Sequence, residues 1–171
     1  MIPLIFTLLL VILFSIQSTF LELFSLGGVV PDLALIFVVY CGIHFQKNGG
    51  IKMGVLVGLI QDSLSGRLLG INTLSKGLIG LFFSALKDKI LVDGILPISY
   101  FLFVASLIDT IIYFTTTISL MGAQTQIDSL LYYVTFFGVY NAVVGLFLFY
   151  VFDRLRRWLH LKFPNQVFQP I

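Results

Sequence analysis

Apolar runs follow one another along almost the whole chain, separated by short polar connections. A helix needs roughly 20 predominantly apolar residues to traverse a hydrocarbon core, and this pattern predicts a bundle of such helices. With 58% hydrophobic and 11% charged residues and a mean hydropathy of +1.06, a soluble fold would leave far too much apolar surface in water. The expected fold is all-α: a compact six-transmembrane-helix bundle forming a single integral membrane domain over residues 1–171. Residues 153–171 are read as a basic cytoplasmic interfacial tail. The apolar N-terminus lacks a basic leader region and a small-x-small cleavage site, so it is expected to be a retained span beginning at Met1.

The six segments are expected at about 2–20, 31–45, 49–64, 71–86, 95–119 and 130–152. Pro31-Asp32-Leu33 opens the second, where proline sacrifices no needed hydrogen bond and aspartate favours the positive end of the helix dipole. Inner segments are short. Thirteen helical residues rise only about 20 Å, less than a core of roughly 30 Å, so their ends must be sheltered by protein or by a water-filled cavity. Ser65-Gly66-Arg67 and Leu69-Gly70 suit an inward-dipping turn between the third and fourth segments. No internal repeat of the inverted-transporter kind is visible.

Basic residues set the orientation. With both termini cytoplasmic, Lys47, Lys52, Lys87, Lys89, Arg154, Arg156, Arg157 and Lys162 all fall on the cytoplasmic side, eight of the ten in the chain. Arg67 alone is left outside, with Lys76 inside the fourth segment, a strong positive-inside asymmetry. Arg154, Arg156, Arg157 and Trp158 also suit a lipid interface, the cations toward anionic head groups and the indole toward the acyl boundary. The ordinary role of such a segment is a stop-transfer anchor.

Gly50, Gly54, Gly58, Asp62, Gly66 and Gly70 recur at strict four-residue spacing. A glycine ribbon lets another backbone approach closely, since helices in lipid associate through packing and polar contacts. Two readings stand side by side: a surface that docks a partner helix, and a tight crossing within the chain. The intramembrane polar residues are Asp62, Lys76, Asp109 and Asn141. A charge at the bilayer centre costs about 2.5–3.5 kcal/mol on insertion scales, so these side chains should face protein, water or one another. Asp62 and Lys76 are the expected pair, the alternative being a hydrated Asp62 at the outer interface. Asp109 suits either a proton or solute site or a structural hydrogen bond, and Asn141 an interhelical hydrogen bond.

Several functions find no support. A net charge of +2 with scattered cations does not suit nucleic acid. The single cysteine, Cys41, cannot form a disulfide within the chain, and His44 and His160 are too isolated to build a metal site; both are read as interfacial. No nucleophile elbow, paired-histidine zinc motif or phosphate loop is present, and Ser65-Gly66 lacks the base a serine nucleophile requires. The expectation is no catalytic residue, no metal and no cofactor.

The run from Gly54 to Asn72, GVLVGLIQDSLSGRLLGIN, with upstream Pro31-Asp32-Leu33 and Tyr40-Cys41-Gly42, resembles the central motif of the MreD family of rod-shape-determining membrane proteins. Gln61 departs from the usually apolar approach to the aspartate. The resemblance implies a multi-pass protein of the bacterial inner membrane and a non-enzymatic role in the elongation machinery. It further implies a single-span MreC-like partner and one complex with MreB, RodA and a penicillin-binding transpeptidase that organises lateral peptidoglycan synthesis. The family is also similar in size and span count to the substrate-binding subunits of energy-coupling vitamin transporters. A small-solute transport role is therefore the alternative.

Overall fold

In the computed structural model the described residues are 2–19, 25, 27–45, 48–65, 69–87, 89, 92, 94–121 and 127–162. They form six helices: α1 (Ile2–Thr19), α2 (Leu33–His44), α3 (Gly49–Ser65), α4 (Ile71–Leu86), α5 (Ile95–Met121) and α6 (Ile127–Lys162).

The shortest helix is the centre of the bundle. α2 has 12 residues, of which Leu33 through Gly42 are all buried, and it packs against each of the other five helices. A helix that is apolar all round has no solvent face to offer and belongs in a core. Its rise of about 18 Å is well short of a bilayer core, so the Asp32 end of α2 lies inside the protein. Asp32 is the N-cap, its side chain accepting from Leu35 N, and Pro31 stands just ahead of it.

α3 and α4 form the closest pair and run antiparallel. A Cβ on Gly58 would lie 2.5 Å from Thr73 Cα and 2.6 Å from Asn72 O, one on Gly54 2.7 Å from the Lys76 carbonyl carbon, and one on Gly50 2.6 Å from Gly42 Cα in α2. Hydrogen atoms in place of side chains are thus what brings these backbones together. Gly42 extends the small-residue surface to α2, where a Cβ would meet Phe83 Cβ at 2.7 Å.

α5 and α6 are the long walls. They contain the two apolar stretches with the length and composition to cross a membrane, Ile95–Ser119 and Leu131–Leu159. Gly145 receives Leu102, Gly138 receives the Phe103 ring, and Phe114 meets Tyr133 edge-on. α6 runs on to Lys162, past the expected end near residue 152, and carries Arg154, Arg156, Arg157 and Trp158 on its last turns. Buried Phe152 and Leu159 hold that extension to the bundle, and an Asp153–Arg156 ion pair of 3.3 Å braces one turn. Trp158 is half exposed beneath the Lys162 ammonium, 4.8 Å from the ring centroid.

Leucine, isoleucine, valine and phenylalanine populate the outside, Leu96 at 82% exposure, while Asp32, Asp62, Lys76, Asp109 and Asn141 are buried. Polar inside and apolar outside is the arrangement that suits a hydrocarbon surrounding.

Candidate functional site

Asp32 is the hub of a polar network that ties all six helices together. Its Oδ1 accepts from Gln17 Nε2 of α1 at 3.2 Å and from Leu35 N at 3.1 Å; its Oδ2 accepts from Gln61 Nε2 of α3 at 3.2 Å. The same Oδ2 lies 2.8 Å from Lys76 Nζ of α4. The Asp32 amide donates to Asn141 Oδ1 of α6 at 2.8 Å, and Asn141 Nδ2 donates to Ser106 Oγ of α5 at 2.9 Å. Lys76 Nζ completes three contacts by donating to Asp109 Oδ1 of α5 and to Asn72 Oδ1, each at 3.0 Å. Ser75 Oγ donates to Asp109 Oδ1 as well. A buried charge is tolerable only when paired and hydrogen-bonded, and Lys76, at 1% exposure, meets that condition on every N–H.

Asp62 does separate work. Its Oδ1 accepts from Asn72 N and Nδ2, both at 3.0 Å, and its Oδ2 from Gly70 N at 2.9 Å, Thr73 N at 3.0 Å and Thr73 Oγ1 at 2.7 Å. The first amides of a helix have no partners of their own. Gly70, the N-cap of α4, has no side chain to offer them and adopts φ +102°, a left-handed conformation natural to glycine. The carboxylate on α3 therefore caps α4 across the helix pair.

One expectation needs correction. Asp62 does not pair with Lys76: its oxygens are filled by the α4 amides, and the ammonium is held by Asp32 and Asp109 instead. Of the two readings of the ribbon, Gly50, Gly54 and Gly58 make the tight crossing within the chain, buried against α4 and α2. Gly66 and Arg67, like Lys47, lie outside the described residues. Asn141 makes the interhelical bonds expected of it. Asp32, Gln17, Gln61, Ser75 and Ser106 were not anticipated as site residues. One signal was available for Asp32: a cap carboxylate on a 12-residue apolar helix cannot reach the membrane surface at both ends.

Beside the network lies an open-mouthed cavity of about 530 Å³. Asp32, Gln61, Asn72, Lys76 and Asp109 form its polar wall, and Tyr113, Phe114, Tyr133 and Phe137 its aromatic one. At the opposite end of the bundle Tyr40 Oη donates to Asp153 Oδ1 at 3.0 Å, and His44 stacks on Tyr40 with Nε2 3.8 Å from the same carboxylate. Every described lysine and arginine other than Lys76 sits toward that end: Lys52, Lys87, Lys89, Arg154, Arg156, Arg157 and Lys162.

An all-helical bundle with an apolar exterior and an ion-paired interior defines a helical membrane protein. The family described as rod shape-determining protein MreD matches residues 1–130, and the chain belongs to that family. Membership makes it a membrane protein that takes part in rod shape determination. The match includes Asp32, Asp62, Lys76 and Asp109, while Asn141 lies beyond it. Comparison with curated proteins and with solved structures gives no match.

Proposed function

We propose that the chain is a non-enzymatic scaffold of the elongation machinery in the bacterial cytoplasmic membrane. It spans the bilayer six times with both termini cytoplasmic and docks an MreC-like single-span protein. Together with MreB, RodA and a penicillin-binding transpeptidase it organises lateral peptidoglycan synthesis. The family match carries this reading. The structure supports it by joining six helices through one network, a rigid frame against which a partner's tilt can be set. Because the glycine ribbon is filled by α4, the partner helix must meet lipid-facing side chains instead.

A photo-crosslinking residue placed singly at the exposed positions Val11, Leu59, Leu78, Tyr100, Val143 and Phe147 tests the docking. Crosslinks to the MreC-like partner are expected from one or two neighbouring helices. Rod-shaped cells that yield none from any of the six positions would contradict partner docking. The second reading, a solute-binding transport subunit, draws on the 530 Å³ cavity, and it requires uptake to fail as soon as the protein is depleted.

A further inference from the structure

The network leaves two oxygen atoms without partners, and both belong to residues that line the cavity. Lys76 has all three N–H groups engaged, and both Asp32 oxygens accept two contacts each. Asp109 is different: Oδ1 takes both of its hydrogen bonds, and Oδ2 accepts none among the described residues. Gln61 donates through Nε2 to Asp32, and its buried Oε1 has no hydrogen-bond partner. Gln61 Oε1, buried and empty, forfeits about 1–3 kcal/mol of desolvation, and Asp109 Oδ2 is a charged acceptor left open on a cavity-lining residue, so both suit a donor. Charge points the same way, since two carboxylates face one ammonium and the cluster carries a formal −1. Aromatic rings on the facing wall, Tyr113 and Phe114 among them, suit a cation.

We infer that this cavity binds a primary ammonium group, which donates to Asp109 Oδ2 and Gln61 Oε1 and brings the buried charges to balance. Its volume lies within the range of small-molecule sites, roughly 300–1,000 Å³. A primary ammonium fits where a quaternary one does not, because only N–H bonds satisfy both acceptors. The group can arrive on a free amine or on the ethanolamine head of a membrane lipid.

The test uses the full chain in nanodiscs of phosphatidylcholine and phosphatidylglycerol, titrated with ethanolamine, choline or sodium chloride at matched ionic strength and followed by thermal unfolding. Ethanolamine is expected to raise the melting temperature and to bind at least about tenfold more tightly than choline, the factor that one charge-assisted hydrogen bond supplies. Gln61→Met, which removes one acceptor at similar volume, should erase most of that preference. Native mass spectrometry of the full chain from nanodiscs that also contain phosphatidylethanolamine separates the sources: selective retention of phosphatidylethanolamine assigns the lipid head group, and ethanolamine stabilisation without that retention assigns a free amine. Equal stabilisation by ethanolamine, choline and sodium, or none by any, overturns the site on the wild-type protein alone. Undiminished preference in a cooperatively melting Gln61→Met protein overturns it as well.

Discussion

At Lys76 an ammonium group with 1% exposure holds Asp32 and Asp109 at 2.8 and 3.0 Å. Removing one partner from a buried ion cluster strands charge, whereas replacing the whole cluster by neutral groups is often tolerated. Lys76→Met should therefore destabilise the protein by about 3–5 kcal/mol. Combining it with Asp32→Asn and Asp109→Asn should recover much of that loss, read from denaturant unfolding in micelles. A triple variant less stable than the single one would refute the pairing. Sequence reading expected Lys76, with Asp62 and Asp109, to face protein, water or one another, and in the structure it pairs with two carboxylates. It chose the wrong carboxylate because proximity along the chain favoured Asp62. The actual partners, 44 residues upstream and 33 residues downstream, come together only when α2, α4 and α5 pack.

Among the elements, the α3–α4 pair depends on the absence of side chains at Gly50, Gly54, Gly58 and Gly80. Leucine at Gly54 would have to occupy the space of the Lys76 backbone, which no rotamer change can relieve. Gly54→Leu is expected to abolish folded protein, measured as the monodisperse fraction after detergent extraction. Gly77→Ala, whose new Cβ would meet only the tip of Val55 at 3.2 Å, should remain within about 1 kcal/mol of wild type. Similar yields for the two would mean that this crossing is looser than described. Helix ends were legible where punctuation is strong: α4 occupies 71–86 as expected, after Gly70, and α2 begins after Asp32. The end of α6 was not. Arginines after an apolar run look like a boundary, but helix continues through them because Phe152 and Leu159 still find the core. The ribbon's spacing foretold close approach without identifying which backbone approaches.

For the molecule as a whole, orientation and function stand to be tested together. In a Cys41→Ala background, Leu69→Cys should react with an impermeant thiol reagent from outside, and Lys89→Cys only after the membrane is opened; the reverse pattern would invert the topology. Both positions are exposed and lie at opposite ends of the bundle. The central claim is that the chain supports rod growth as a membrane organiser, and it rests on family membership together with an interior devoted to holding six helices in one frame. The most direct measurement is depletion in growing cells, with cell width, sites of new wall insertion and solute uptake followed in the same culture. Widening to spheres with dispersed wall insertion while uptake holds steady, reversed by the intact chain, is the predicted result. Cells that stay rod-shaped while uptake of a solute collapses would contradict the account and point to transport.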